Sequence, residues 1–175
     1  MKSVVLLGYM GAGKTTIGHA LAKEIGVRFY DLDWYIEMRF HKTVAQIFEE
    51  RGEDAFREME RNMLHEVAEF ENVVISCGGG TPCFFDNMDY MNSLCETIYL
   101  KASPDVLAAH LRMGRVVRPL IAGKTEEELA AYIREMLRQR EPFYSKAKYI
   151  FDVDLLNSRE KVAESVRLLR EATGI

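Results

Sequence analysis

Val4-Val5-Leu6-Leu7-Gly8-Tyr9-Met10-Gly11-Ala12-Gly13-Lys14-Thr15 is the stretch that decides the fold. Four consecutive apolar residues read as a short strand buried on both faces. The next eight fit G-x-x-x-x-G-K-[ST]. From Lys14 to Ile25 the pattern turns helical, with Ile17, Leu21 and Ile25 four apart and Gly26 as a stop. A strand, a glycine-rich turn and a helix in that order make a phosphate loop. Glycines let successive amide groups face one anion, and the helix N-terminus adds its positive end. Lys14 supplies a mobile cation to β- and γ-phosphates, and the Thr15 hydroxyl is a hard oxygen ligand for Mg²⁺.

Outward from this loop, strands and helices alternate. Strands are expected at Arg28-Phe29-Tyr30, Val73-Val74-Ile75, Thr97-Ile98-Tyr99-Leu100 and Tyr149-Ile150-Phe151-Asp152-Val153. Helices are expected through Trp34, Ile36 and Met38, and from Thr43 until Gly52 breaks the run. A long one follows, with Phe56, Met59, Met63, Val67 and Phe70 as its stripe. Ser103-Pro104 opens another, and Thr125-Glu126-Glu127-Glu128 is a capping box for a helix to about Arg140, which Pro142 stops. Ser158 caps the last, whose apolar face includes Val162, Val166 and Leu169. The alternation predicts a three-layer α/β fold with a five-stranded parallel sheet. Residues 1–175 are expected to form one domain, with excursions at about 34–61 and 112–124.

Composition fits that reading. The chain has 175 residues, 48% hydrophobic and 29% charged, and a net charge of −4. One α/β domain is the natural size, and nothing points to a nucleic-acid partner. No apolar run is long enough to span a membrane, and the first one stops at Gly8, too early for a signal peptide. Three cysteines, Cys77, Cys83 and Cys95, suggest reduced thiols in a cytoplasmic protein. Four scattered histidines give no zinc-ligand spacing. A motor is excluded by size, and a GTPase by the lack of an N-K-x-D motif.

Asp31 and Asp33 follow the second strand, where ligands of open parallel sheets bind. One could hold Mg²⁺ through water while the other accepts a proton or hydrogen bond from an acceptor hydroxyl. Asp33 before Trp34 also suits a helix cap. Arg57 borders the apolar stripe, and Glu60 three residues on can hold its guanidinium for a planar carboxylate; a solvated helix face is the plainer alternative. Gly78-Gly79-Gly80 implies close approach to a ligand, or only a flexible turn. Arg112, Arg115, Arg118 and Lys124, with Gly114 and Gly123 as hinges, form a basic flap suited to a lid, or a solvated loop.

Together these motifs resemble shikimate kinase. The resemblance runs from Val4 to about Leu168 and includes Gly8 to Gly18, Asp31-Leu32-Asp33 with Ile36-Glu37, and Ile47-Phe48 through Gly52-Glu53. It continues through Phe56-Arg57-Glu58-Met59-Glu60, Gly78-Gly79-Gly80, Arg118-Pro119-Leu120 and Arg140-Glu141-Pro142-Phe143-Tyr144. It implies the nucleoside-monophosphate-kinase fold and transfer of the γ-phosphoryl of ATP to the 3-hydroxyl of shikimate, on the route to chorismate and aromatic amino acids. It implies Lys14, Asp33 and Arg118 as catalytic residues. ATP contacts would come from Gly11, Ala12, Gly13, Lys14, Thr15, Thr16, Arg118 and Asn157. Shikimate contacts would come from Asp33, Arg57, Gly78, Gly79, Gly80 and Arg140, and Mg²⁺ would be served by Thr15 and, through water, by Asp31. The expected form is a cytoplasmic monomer acting on ATP and shikimate, with neither nucleic-acid nor membrane partners. Two departures stand out: the family usually has glycine where His41 stands, and Thr81-Pro82-Cys83 is less usual. A gluconate-kinase-like or other small-metabolite kinase, and a non-catalytic nucleotide-binding regulator, are the alternatives.

Overall fold

The computed structural model describes residues 2–114 and 121–175. Arg115, Arg118 and the centre of the expected flap therefore lie outside the described residues. Five strands form one parallel sheet among those described: β1 (Val4–Leu7), β2 (Arg28–Asp31), β3 (Val73–Ser76), β4 (Glu96–Lys101) and β5 (Tyr149–Asp152). Their spatial order is β2-β3-β1-β4-β5. Val4 pairs with Val74 on one side and Glu96 on the other, so β1 is central. Every residue of β1 is inaccessible to solvent, which is why its sequence is apolar throughout rather than alternating. The edge strand β5 alternates instead, with Ile150 exposed.

The helices are α1 (Lys14–Ile25), α2 (Leu32–Phe40), α3 (Val44–Ala68), α4 (Asn87–Leu94), α5 (Pro104–Met113), α6 (Glu126–Tyr144) and α7 (Arg159–Thr173). Their starts follow the capping signals. Thr43 and Thr125 each close a capping box, and Ser103 and Ser158 accept from backbone N–H groups three residues on. Gly52, at φ 80° and ψ 175°, kinks α3 where the sequence predicts a break.

Three expectations need correction. Pro142 does not stop α6; the helix runs two residues further, to Tyr144. A proline this close to the end forfeits one hydrogen bond, and Tyr144 stays in register because it is fully buried and its hydroxyl donates to Gly79 O at 2.5 Å. The helix after β2 begins at Leu32, so Asp31 rather than Asp33 is its cap, accepting from Trp34 N at 3.1 Å. The two aspartates are thus not neighbours along one extended strand. Finally, α4 and a 3-10 turn at Thr81–Cys83 fill the stretch between β3 and β4, where no helix was expected. Met88, Met91 and Cys95 anchor α4 in the core. His41 ends α2 in the left-handed conformation, φ 53° and ψ 36°, the geometry that glycine would take without strain.

Candidate active site

In an open sheet, the crevice lies beyond the carboxyl ends of the strands where the winding reverses. Here that point falls between β1 and β3, and it holds a cavity of about 380 Å³. Its lining includes Gly11, Gly13, Lys14, Thr15 and Thr16 from the loop after β1 and the start of α1. Asp31 and Asp33 come from the end of β2 and the first turn of α2, and Gly78 and Gly79 from the loop after β3. Residues far apart in the chain thus meet because three strand ends meet.

On the phosphate side, Gly13 takes φ 94° at the N-cap of α1, and a Cβ there would lie 2.5 Å from Leu156 Cδ1. Both angle and space require glycine. The first turn of α1 carries no acidic side chain, leaving its positive end open toward an anion. Lys14 Nζ donates to Gly8 O at 2.9 Å and Tyr9 O at 3.0 Å, which keeps the ammonium folded along the loop. Thr15 Oγ1 donates to Asp31 Oδ2 at 3.3 Å. The loop is braced by His110 on α5, which also lines the cavity. Its Nδ1 lies 2.6 Å from Gly11 O, and its Nε2 accepts from Leu156 N at 2.8 Å. That arrangement requires a neutral ring with its proton on Nδ1. Sequence reading missed His110 because a lone histidine on a helix carries no pattern. Asn157, expected on the adenine side, is exposed, and the cavity is lined instead by its neighbour Leu156 and by His110, Met113 and Gly114. Ala12 is buried beneath the loop.

On the other side, each of the three glycines faces one functional side chain. A Cβ on Gly78 would lie 3.2 Å from Asp33 Oδ1, one on Gly79 3.1 Å from Arg140 Nη1, and one on Gly80 2.6 Å from Arg57 Nη2. The run is glycine so that a carboxylate and two guanidiniums can close on its backbone. Arg57 Nη1 donates to Glu60 Oε1 at 2.9 Å, and Glu60 is 1% exposed. A carboxylate so buried needs its charge paired. Its second oxygen accepts from Thr81 Oγ1 at 2.9 Å. The solvated-face reading of Arg57 is therefore set aside. Arg140 lies with its guanidinium carbon 5.6 Å from the Tyr9 ring centroid. Thr81 and the aromatic neighbours of Arg57 were not legible as site residues, since only the folded chain brings them to the arginine.

Asp33 is held up at about 6 from 3.8, chiefly by burial, then by the negative charges of Asp31 and Glu60; Lys14 opposes the shift. A carboxylate that titrates this close to neutrality is suited to accept a proton from a hydroxyl. Of the flap, Arg112 pairs with Glu126 at 2.7 Å and Lys124 lies over the Tyr132 ring.

Comparison with known proteins agrees with this geometry. The profile of the shikimate kinase family matches residues 10–170. A shikimate kinase from Phocaeicola vulgatus is 58% identical over 171 residues, covering 98% of each chain. The crystal structure of shikimate kinase from Bacteroides thetaiotaomicron superposes with a TM-score of 0.96 at 55% identity, covering 99% of both chains. Shikimate kinase from Acinetobacter baumannii, solved in complex with shikimate, gives a TM-score of 0.82 at 28% identity over 98% of this chain and 92% of its own.

Proposed function

The chain belongs to the shikimate kinase family, and we propose that it carries the γ-phosphoryl group of ATP to the 3-hydroxyl of shikimate with the following division of labour. The amides of Gly11, Gly13, Lys14, Thr15 and Thr16, at and before the N-terminus of α1, cradle the phosphates, while the Ala12 amide donates to Tyr9 O at 3.1 Å and shapes the turn. The Lys14 ammonium meets the charge that develops on the transferring group. Arg57 and Arg140 take the shikimate carboxylate, with Gly80 and Gly79 giving them room, and Gly78 gives room to Asp33. Asp33 receives the proton of the attacking hydroxyl. Arg118 is assigned, by resemblance alone, to the lid over ATP, and Asn157 to the edge of the adenine site.

Thr15 and Asp31 suit Mg²⁺. Their oxygens approach to 3.3 Å at the mouth of the phosphate loop, and both are hard donors. A Mg²⁺ ion carried by a nucleotide takes its remaining ligands from phosphates and water. When bound, the ion would neutralise charge on the β- and γ-phosphate oxygens.

The observation that carries this reading is the closure of Asp33, Arg140 and Arg57 on three successive glycines beside the phosphate loop. A neutral sugar would leave the two arginines without an anion to bind; gluconate does carry a carboxylate, and the gluconate-kinase alternative is not favoured because the chain belongs to the shikimate kinase family over nearly its whole length. The assigned pathway is that of chorismate and the aromatic amino acids. A cytoplasmic monomer is the form we infer. Unpaired Cys77, Cys83 and Cys95 support the compartment, and the assembly of the described site residues within one chain supports the monomer. No helix among the described residues is long and apolar enough to cross a membrane.

The test is ATP consumption with and without shikimate, with gluconate as the competing acceptor and with Mg²⁺ chelated in a parallel series. Turnover that requires both shikimate and Mg²⁺ is expected. Acceptor-independent hydrolysis, or equal use of gluconate, overturns the assignment.

A further inference from the structure

The short stretch Phe84-Phe85-Asp86, between the 3-10 turn and α4, has no part in the chemistry described above. Phe85 sits at φ 50°, a left-handed conformation that is an outlier for a bulky residue, and the residue is 53% exposed. Strain without burial calls for a reason elsewhere. The neighbours supply one. The Phe84 ring centroid lies 4.1 Å from the guanidinium carbon of Arg57, nearer than those of Phe56 at 5.3 Å or Phe48 at 5.9 Å. Phe85 and Asp86 engage Arg61, the ring at 5.0 Å and the carboxylate at 3.2 Å. Arg57 and Arg61 are one helical turn apart on α3. The left-handed residue thus turns the chain so that three consecutive side chains grip two successive arginines.

Arg57 is thereby enclosed. Glu60 holds Nη1, the Gly80 backbone backs the nitrogens, and Phe84 covers the guanidinium. Its Nε is buried and hydrogen-bonded to no described residue, although Glu53 lies 3.5 Å away. A planar cation fixed in this way, with a donor still to be satisfied, is prepared for a planar anion.

We propose that Phe84 is a positioning residue for the acceptor's carboxylate: its ring holds the Arg57 guanidinium against Glu60 and the Gly80 backbone, and the left-handed turn at Phe85 holds Phe84 in place. The proposal rests on the assignment of Arg57 to the shikimate carboxylate. In this chain it gives the unusual segment after the triple glycine a role in acceptor affinity. The mechanism is electrostatic and steric together. The ring face attracts the cation and excludes water from it, so the guanidinium does not have to be ordered when the acceptor arrives.

Phe84→Leu keeps apolar volume and removes the ring face; Phe84→Tyr keeps the face. Steady-state kinetics are measured for both, with thermal melting to verify folding. For Phe84→Leu the KM for shikimate is expected to rise roughly 2- to 30-fold, the range of a desolvated cation–π contact, while the KM for ATP stays put. Phe84→Tyr is expected to stay near wild type. In an Arg57→Ala background Phe84→Leu should add no further loss, because the group it positions is gone. An unchanged shikimate KM in Phe84→Leu, or equal rises for both substrates, overturns the proposal while leaving Arg57's role standing. Arg57→Ala with unaltered shikimate affinity is a separate failure: it removes the carboxylate assignment itself.

Discussion

The two glycine-rich turns of this molecule lie at the ends of adjacent strands and are glycine for different reasons. After β1, Gly8, Gly11 and Gly13 all have positive φ, so the backbone angle by itself disfavours a side chain, and crowding adds to it at Gly8 and Gly13. After β3, none of Gly78, Gly79 and Gly80 has positive φ, and Gly80 sits at an ordinary −87°. There it is space that forbids one. The first turn is shaped to receive an anion on its amides. The second is shaped to let the protein's own charged side chains come close. Nucleotide recognition is thus written in the main chain, and acceptor recognition in side chains that the main chain makes room for.

The largest expected effects lie in the charges on either side of this divide. Lys14→Met should lower turnover by roughly 10²–10³-fold or more while the melting temperature barely moves, since one electrostatic contact in a closed site is worth that much. Near-normal turnover would mean that the loop only binds. Asp33→Asn should lower turnover by about 10²–10⁴-fold, the worth of a positioned proton acceptor. Its effect on stability has the opposite sign. With its folded value near 6 and its ordinary one at 3.8, ionised Asp33 destabilises the native state above pH 6. In metal-free enzyme the Asn variant should therefore gain up to about 3 kcal/mol at pH 7–8. The gain should shrink as the pH falls through 6 and vanish below 4. Urea melts across that range check it; a gain that grows toward acid would refute the burial of charge.

Paired glycine substitutions sharpen the contrast directly. Gly13→Ala imposes strain on the backbone and a clash with Leu156, so it should cost on the order of 1–3 kcal/mol of stability and weaken ATP binding. Gly80→Ala imposes no angular strain but displaces the Arg57 guanidinium, so it should raise the shikimate KM by up to about 100-fold and cost less stability than Gly13→Ala, the loss coming from a loosened Arg57–Glu60 pair. If both variants lose stability equally, the distinction between angle and space fails.

The smallest effect is at His41. It is an angle position without a glycine, so His41→Gly should gain about 0.5–1 kcal/mol by relieving left-handed strain, with kinetics unchanged. Calorimetry that finds a loss would show that the histidine side chain contributes at the end of α2.

What the sequence makes legible here follows the range of the forces involved. β1 and α1 are read residue for residue because burial on both faces and Gly26 mark them locally. The capping boxes at Thr43 and Thr125 are equally local. In contrast, α4 is eight residues long and Asp86 makes no side-chain cap, so only its contacts with the core define it. Whether Asp31 or Asp33 capped α2 turned on where β2 ended, a matter of pairing with β3. The phosphate loop was visible as a motif. The seating of Arg57 and Arg140 against the glycines was not, because nothing in residues 78–80 says which side chains come back to them.

The pairing of Arg57 with Glu60 bears on how such a protein can change over generations. Glu60 is nearly inaccessible, and its two oxygens are taken by Arg57 and Thr81. Losing the arginine alone strands a negative charge in the interior, and losing the glutamate alone leaves an unbalanced cation beside the acceptor. Either single step is penalised in folding as well as in recognition. A lineage drifting toward an uncharged acceptor would have to exchange both residues together, so the network acts as a ratchet that preserves the choice of substrate.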